Sequence, residues 1–424
     1  MTVAPRFQYQ NGVLHAEDIS LVHLAKEFGT PLYVYSRAAL RDAWESYARA
    51  LEGRKALVCF GMKANSNLAV LNEFSRLGAG FDIVSGGELA RVLAAGGDPA
   101  KVVFSGVGKQ AWEMQAALDA GVKCFNVESE AELERLAQVA STSGRLAPVS
   151  LRVNPDVDAQ THPYISTGLK DNKFGIAIET APDVYRRAMT LPGLRVVGVD
   201  CHIGSQITEA APYLDALDKL IALIHTLRAE GIELRHLDLG GGIGIRYTDE
   251  QLLEPVTLLE QVFSRLEQAG LGHLELVLEP GRSLVGNAGV LVTQVQYLKH
   301  SEARNFAIVD AAMNDLLRPT LYDAWHGVEP VTPRPVTSAT PAYDIVGPIC
   351  ESGDWLARNR TLELHQGDLL AIMSAGAYAF TMSSQYNSRP RAAEIMVDGG
   401  RAHVVRPRET IESLFAGESL LPHG

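Results

Sequence analysis

A lysine at the end of an apolar run is the first residue whose type and position could do chemistry. Residues 56–62 read Ala-Leu-Val-Cys-Phe-Gly-Met, which predicts a buried strand, and Lys63 follows directly. A charged amine is costly in a hydrophobic layer, so we expect it to leave the strand's carboxyl end and enter a cleft. Desolvation there would lower the pKa of Lys63 and make its amine a usable nucleophile. The alternative is a surface lysine whose aliphatic stem covers the strand end.

Glycines further along the chain could bind an anion. Gly240, Gly241 and Gly242 directly follow an apolar run, and Gly281 lies in the turn that starts at Glu279. Backbone amides without side chains around them can surround a phosphate. A single glycine triplet is also typical of a flexible turn, but a second such turn at the next predicted strand end favours a phosphate site.

An amine, a phosphate cradle and a carboxylate together describe a site for pyridoxal phosphate. The cofactor's aldehyde needs Lys63, and its ring nitrogen must stay protonated, which the Glu279 carboxylate would enforce. His202, just after an apolar run, could lie flat against the ring, and Ser205 could hydrogen-bond the phosphate. Alternatively, Glu279 is a solvated acid at a strand end, and His202 is a core histidine whose ring nitrogens are satisfied.

The residues that must be brought together follow predicted parallel strands. Short apolar runs alternate with amphipathic segments such as 212–230, where leucine and isoleucine recur at three-and-four spacing. The candidate strands are 56–62, 80–84, 102–106, 123–127, 148–153, 194–201, 234–239 and 274–279. Eight strand-helix units over roughly 220–250 residues match an α/β fold of the TIM-like (β/α)8 barrel type better than an open doubly wound sheet. A barrel gathers its chemistry at the carboxyl ends of the strands.

Helical periodicity fades after the eighth strand, and the rest of the chain predicts a second, β-rich domain of the sandwich or barrel-like type. Its candidate strands are 288–298, 305–309, 343–348, 368–373 and 394–398. We expect the cofactor-binding barrel to span 36–286 and the β-rich domain to comprise 1–35, which would pair with its sheet, and 287–424. The proline-dense segment 328–341 is predicted to be a surface loop, and 156–172 is a candidate mobile loop.

The composition excludes several partners. The 424 residues are 46% hydrophobic and 21% charged, as in a globular protein of two domains. A net charge of −12 without a long basic run argues against nucleic acid. The amino terminus does not read as a secretion signal, and no stretch reaches membrane-spanning length. Because the four cysteines also lack metal-site or disulfide spacing, we expect a cytoplasmic protein without a metal or a membrane partner.

Motifs over nearly the whole chain resemble those of the fold-type III pyridoxal-phosphate-dependent decarboxylases, in the same order. They are Phe60–Asn65, Gly80–Glu88, His202–Gln206, Asp238–Gly242, Glu279–Arg282, Met313–Pro319 with Tyr322, Cys350–Asp354 and Gly376–Tyr378. The small departure is Gly61-Met62, where relatives often carry Ala-Val, and it should alter packing and not chemistry. The match is strongest to the branch that converts meso-2,6-diaminopimelate to L-lysine and carbon dioxide.

The resemblance implies a role for each matched residue. Lys63 would hold the cofactor covalently, His202 would stack on its ring, and Glu279 would pair with its ring nitrogen. The implied cofactor-binding residues are Lys63, Asp82, His202, Ser205, Gly240, Gly241, Gly242, Glu279, Gly281, Arg282 and Tyr378. The implied substrate-binding residues are Arg282, Arg318, Tyr322, Glu351 and Tyr378.

The implied substrate site makes physical sense because diaminopimelate carries an amino acid group at each end. Arg282, Arg318 and Tyr322 would bind the distal carboxylate, for which arginine's planar fork is suited. Glu351 would face the distal ammonium. Cys350 would return a proton to the substrate carbon, and it would come from the partner subunit of a homodimer with shared active sites.

Three other functions fit parts of the same pattern. An ornithine or arginine decarboxylase would have no use for a carboxylate clamp, so Arg282 and Arg318 argue against it. An alanine-type racemase typically pairs the ring nitrogen with arginine, so Glu279 argues for decarboxylation. A non-catalytic relative that only binds partners would not need to retain Lys63, Cys350 and Glu351 together.

Overall fold

The amino-terminal segment forms a small antiparallel sheet before the barrel begins. The structure is a computed structural model and describes residues 6–158 and 172–422. The first elements are β1 (Phe7–Gln10), β2 (Val13–Ala16), β3 (Ile19–Ser20), α1 (Leu21–Phe28), β4 (Leu32–Ser36) and α2 (Arg37–Ala50).

The chain divides into two compact units. The barrel unit comprises 43–246 and 250–284, and the β-rich unit comprises 1–42, 247–249 and 285–424.

Eight parallel strands close into a barrel in the barrel unit. They are β5 (Ala56–Gly61), β6 (Gly80–Ile83), β7 (Val102–Phe104), β8 (Cys124–Val127), β9 (Ala147–Asn154), β11 (Leu194–Asp200), β12 (His236–Asp238) and β13 (Glu275–Leu278), while the short β10 (Ile176–Ala177) pairs in parallel with the last two residues of β9. The strands pair in chain order, and β13 pairs back to β5 with Val277 opposite Leu57. The TIM-like barrel predicted from the sequence is therefore confirmed. The bounds of all eight predicted strands agree with the observed ones to within a few residues. Among the described strands of the barrel unit, only β10 was not predicted.

Amphipathic helices connect the barrel strands. They are α3 (Leu68–Arg76), α4 (Gly86–Ala94), α5 (Ala111–Ala120), α6 (Glu130–Thr142), α7 (Ala181–Thr190), α8 (Ala211–Ala229), α9 (Pro255–Gln268) and the short α10 (Arg282–Val285). The predicted helix 212–230 corresponds to α8. Inside the barrel, Cys59, Val103, Cys124, Val197 and Val277 form an apolar cluster.

The β-rich unit is built on one mixed sheet. Its further elements are β14 (Gly289–Lys299), β15 (Asn305–Val309), α11 (Arg318–Tyr322), β16 (Val328–Pro330), β17 (Ala342–Val346), β18 (Trp355–Thr361), β19 (Leu369–Ile372), β20 (Ala393–Asp398) and β21 (Arg401–Arg406). The sheet order is β18-β17-β15-β14-β4-β20-β21, and β19 pairs with both β14 and β16. Strand β4 lies between β14 and β20, with Val34 opposite Val290 and Ile395. The prediction that the amino-terminal run joins this sheet is confirmed.

The predicted loop at 328–341 needs a correction. Its first residues form β16, which pairs with β19 along one side only. Proline is tolerated in such an edge strand because its missing N–H can lie on the unpaired side, so proline density did not exclude a strand. The predicted mobile loop at 156–172 lies almost entirely outside the described residues. Across the described part of the chain, every helix is too short or too polar to cross a membrane.

Candidate active site

Lys63 lies where the sequence predicts, just past the carboxyl end of β5. Its amine donates a hydrogen bond to Asp82 Oδ2 at 2.5 Å. The lysine side chain is 38% exposed, whereas Asp82 is fully buried in β6. Among the described residues, Asp82 Oδ1 has no hydrogen-bond partner. The amine is therefore held at the strand end by a buried carboxylate and remains accessible.

A cluster of three buried carboxyl groups lies at the same end of the barrel. Asp200 ends β11, Asp238 ends β12, and Glu279 directly follows β13; their side-chain oxygens all lie within 4.8 Å of one another. We call these three residues the carboxyl cluster. Ser105 Oγ and Asn126 Nδ2 each donate to Glu279 Oε1 at 3.4 Å. The sequence interpretation gave Glu279 a role but gave none to the two aspartates, although Asp238 opens one of the matched motifs and each aspartate is next to the last residue of a predicted strand.

Burial sets the protonation of the carboxyl cluster. Desolvation, and then the charge of Asp238, raise the pKa of Glu279 well above its usual range, whereas Lys63 lowers it less. Desolvation and Asp238 likewise raise the pKa of Asp200. Desolvation raises the pKa of Asp238 to about 7. The hydrogen bond that its Oδ1 accepts from the Gly240 N–H at 2.9 Å has the opposite, smaller effect and lowers the pKa. The cluster could ligate a cation in principle, but the raised pKa values favour protons shared among the three groups.

We expect Asp238→Asn to stabilise the cofactor-free protein at pH 8 and to have little effect near pH 4. A carboxyl whose folded pKa is raised keeps its proton in the native state, so stability falls as the pH rises from about 4 to about 7. The effect should develop between about pH 4 and pH 7, where the carboxyl ionises in the unfolded chain but keeps its proton in the native protein. Asparagine removes this penalty and still accepts the Gly240 N–H. Urea unfolding at both pH values measures the effect, and an equal change at both would contradict it.

The glycine triplet at 240–242 forms a turn that side chains would block. Gly240 and Gly242 have φ values of +69° and +107°, which favour glycine. A Cβ on Gly241 would lie 2.0 Å from the carbonyl oxygen of Glu279. The Glu279 N–H donates to Gly240 O at 2.8 Å, and the Tyr213 hydroxyl donates to Gly241 O at 3.0 Å. The turn is thus fixed against the end of β13, and no side chain of the triplet would keep a ligand away from its backbone.

Gly241→Ala should weaken pyridoxal-phosphate binding by about 10- to 100-fold. The added methyl group must displace the Glu279 carbonyl, and overpacking of this kind costs about 1–3 kcal/mol. Gly108→Ala is the matched control, because a Cβ there has no atom within 4 Å. Titration of the cofactor-free variants by absorbance gives the dissociation constants. Equal affinity in Gly241→Ala and Gly108→Ala would show that the triplet does not shape the cofactor site.

His202 is held neutral beside the triplet. Its Nδ1 accepts the Gly241 N–H at 3.2 Å, so any ring proton is on Nε2. Burial, followed by the charges of Arg152 and Lys63, lowers its pKa well below the usual range. Two strand ends further along, Arg282 donates from Nε and Nη2 to Ser205 Oγ at 3.3 and 3.2 Å. The predicted serine and arginine therefore contact each other.

A pyridoxal-phosphate group fits the residues of the barrel unit. The site offers an accessible amine on Lys63, a buried Asp82 oxygen without a hydrogen-bond partner in the described chain, and a proton-holding acid, Glu279. The turn around Gly241 has no room for side chains, as close approach to a phosphate requires. The turn that contains Gly281 lies beside the end of β5, because the Gly61 N–H donates to Pro280 O at 3.0 Å.

The remaining predicted residues lie in the β-rich unit. Arg318 begins α11, which ends at Tyr322, and the Arg318 guanidinium lies 4.9 Å from the Tyr247 ring. Cys350 is exposed, and its N–H donates to Asn387 Oδ1 at 3.2 Å. In the same turn, Glu351 Oε1 accepts the Tyr386 hydroxyl at 2.5 Å. Tyr378 has a left-handed φ of +52°. No local pattern pointed to Tyr247, Tyr386 or Asn387, which contact these residues only in the folded chain.

Comparisons with known proteins identify the family. Residues 37–286 match the family model "Pyridoxal-dependent decarboxylase, pyridoxal binding domain". The diaminopimelate decarboxylase of Pseudomonas aeruginosa is 62% identical over 98% of this chain and 99% of its own length. The enzyme of the same name from Vibrio cholerae is 58% identical, again over 98% and 99%.

Solved structures agree with the sequence comparisons over both units. The diaminopimelate decarboxylase of Helicobacter pylori complexed with L-lysine has a TM-score of 0.89 at 42% identity, and the match covers 94% of this chain and 98% of that one. The enzyme from M. jannaschii has a TM-score of 0.93 at 35% identity, covering 99% and 98%. The resemblance found in the sequence motifs is confirmed, and the chain belongs to the diaminopimelate decarboxylase family of pyridoxal-dependent decarboxylases.

Proposed function

We propose that the protein decarboxylates meso-2,6-diaminopimelate to L-lysine and carbon dioxide, the last step of lysine biosynthesis, with pyridoxal 5'-phosphate as cofactor. The observation that carries this proposal is the meeting of Lys63, Glu279 and the 240–242 triplet at the carboxyl end of one barrel. The substrate is supported by the similarity to diaminopimelate decarboxylases, one of them 62% identical, and by L-lysine, the proposed product, in the structure of a relative that is 42% identical.

The barrel residues would hold the cofactor and set its charge. Lys63 would bind its aldehyde, and the amides of the glycine triplet would bind its phosphate. When bound, pyridoxal phosphate supplies an electron sink for the pair released as carbon dioxide leaves. Glu279 would share its proton with the ring nitrogen, which keeps that sink effective. His202, held neutral, would lie against the ring without adding a second positive charge.

Substrate selection would rest on charged residues. Arg282 and Arg318, with Tyr322 and Tyr378, would bind the distal carboxylate, and Glu351 would face the distal ammonium. Loss of one partner in a buried charge pair costs on the order of 2–5 kcal/mol, which is about 30-fold or more in affinity. Ornithine and arginine lack a distal carboxylate, so this site would discriminate against them.

The exposed thiol of Cys350 would donate the proton that replaces the carboxyl group. We propose that it acts in the partner subunit's active site within a homodimer. All four cysteines are free thiols, which supports a reducing compartment and thus the cytoplasm.

A substrate panel tests the proposed function. The purified protein, loaded with pyridoxal phosphate, is incubated separately with meso-diaminopimelate, ornithine, arginine and L-alanine. We expect carbon dioxide and L-lysine from the first and neither carbon dioxide nor racemisation from the others. Carbon dioxide from ornithine or arginine but none from diaminopimelate would replace the proposal with a basic amino acid decarboxylase, and racemised alanine would indicate an isomerase.

A further inference from the structure

A buried histidine in the β-rich unit links Arg318 to the backbone. His326 is fully buried four residues after α11 ends. Its Nε2 lies 2.8 Å from Arg318 Nη1, and its Nδ1 lies 2.8 Å from Met373 O. Arg360 Nη2 also donates to the His326 carbonyl oxygen at 2.9 Å. Both the ring and the backbone of this histidine are therefore fixed.

The two partners define the tautomer of His326. A guanidinium N–H can only donate, so Nε2 must accept from Arg318 with its lone pair. A carbonyl oxygen can only accept, so Nδ1 must carry the proton that faces Met373. His326 is consequently a neutral imidazole with its hydrogen on Nδ1. Its ring connects the Arg318 side chain to the backbone carbonyl of Met373, the residue that follows β19.

An aromatic ring also packs against the Arg318 guanidinium. The Tyr247 ring lies 4.9 Å from the guanidinium carbon and meets the His326 ring edge-on at 5.4 Å. Arg318 itself is buried, with 7% of its surface exposed. An arginine side chain loses rotamer entropy when it is immobilised, so orienting it beforehand removes that cost from ligand binding.

We propose that His326 is a positioning residue that orients Arg318 for a ligand carboxylate and so contributes to the selection of carboxylate-bearing ligands. This inference rests on the proposed function, in which Arg318 binds the distal carboxylate. His326 itself would not contact the substrate. Its effect should therefore appear only for ligands that carry the carboxylate.

L-lysine and cadaverine form a matched pair of probes, because they differ only by that carboxylate. We would measure their inhibition constants against meso-diaminopimelate turnover with the holoenzyme of unsubstituted protein, His326→Leu and His326→Gln. We expect His326→Leu to raise the constant for lysine by about 10- to 100-fold, as for a lost hydrogen bond to a charged group, and that for cadaverine by less than about twofold. Glutamine carries an acceptor oxygen near the position of Nε2, so His326→Gln should restore lysine binding to within about threefold.

Two controls separate positioning from damage to the fold. His300→Leu removes another histidine packed on a tyrosine ring, Tyr343, at 5.7 Å, and should change neither constant. If His326→Leu does not fold, His326→Asn takes its place, because its amide is too short to reach both partners. Constants for lysine and cadaverine that rise together, or a lysine constant that stays unchanged in a folded variant, would overturn the proposal. If the unsubstituted enzyme binds lysine no better than cadaverine, the proposed carboxylate clamp is itself wrong, and the role of His326 falls with it.

Discussion

Replacing Lys63 by alanine should reduce turnover of meso-diaminopimelate by at least about 10³-fold. The substitution would remove both the proposed covalent attachment of the cofactor and a positioned amine, and positioned proton-transfer groups alone contribute about 10²–10⁴-fold. It also leaves the buried Asp82 without the partner that lies 2.5 Å away in the structure. The variant should lose the visible absorbance of the lysine-bound cofactor, which spectroscopy of the purified protein measures.

Lys63→Arg separates these two effects. Arginine can keep the charge pair with Asp82 but cannot form the bond to the aldehyde. We expect this variant to fold as stably as the unsubstituted protein, as followed by thermal unfolding, and to be as inactive as Lys63→Ala. Substantial turnover in either variant would place the cofactor's attachment elsewhere in the chain.

Cys350→Ala should lower turnover by about 10²-fold or more while the cofactor absorbance stays unchanged. Cys350 is exposed, and the hydrogen bond to the Asn387 amide oxygen comes from its backbone N–H, which alanine keeps, so removal of the thiol disturbs little packing. Loss of a positioned proton donor accounts for a rate change of this size. Steady-state kinetics and absorbance spectra on the same preparation measure the two effects.

Co-expression of Lys63→Ala with Cys350→Ala tests whether the thiol comes from the partner subunit. In a mixed dimer with shared sites, one site carries both substitutions and the other carries neither. Random pairing should then restore about a quarter of the normal activity. If both residues act within one subunit, the mixture stays inactive, and the shared-site homodimer is wrong.

The barrel could be predicted because its strands are buried on both faces. Such strands appear as near-continuous apolar runs, and the helices between them have a different period. The edge strands β18 and β21 escaped prediction because polar and charged residues dominate them, as in Trp355–Thr361 and Arg401–Arg406. Their pairing depends on neighbouring strands more than on their own pattern.

The barrel part of the candidate site was predictable for a related reason. Lys63, His202, the glycine triplet and Glu279 each follow a predicted strand, so the closed barrel must bring them to one end. The carboxyl cluster shows the limit of that reasoning. Neither Asp200 nor Asp238 was given a role from the sequence, and only the three-dimensional structure reveals that an oxygen of each lies within 4.8 Å of one in Glu279.

The predicted site residues of the β-rich unit could not be derived from local patterns. Arg318 and Cys350 were found through the family resemblance, and their chemistry depends on partners far away in the chain. His326 contacts the carbonyl of Met373, 47 residues later, and Tyr247 precedes Arg318 by 71 residues. No spacing rule in the sequence connects such residues.

Borohydride trapping tests the central claim most directly, because it fixes the cofactor to whichever amine holds it. The yellow holoenzyme is reduced, digested and examined by peptide mass spectrometry. We predict that the pyridoxyl group is found on the peptide that contains Lys63, and that meso-diaminopimelate added before the reduction greatly diminishes this product. A pyridoxyl group on another lysine, or a protein that takes up no cofactor, would contradict the account.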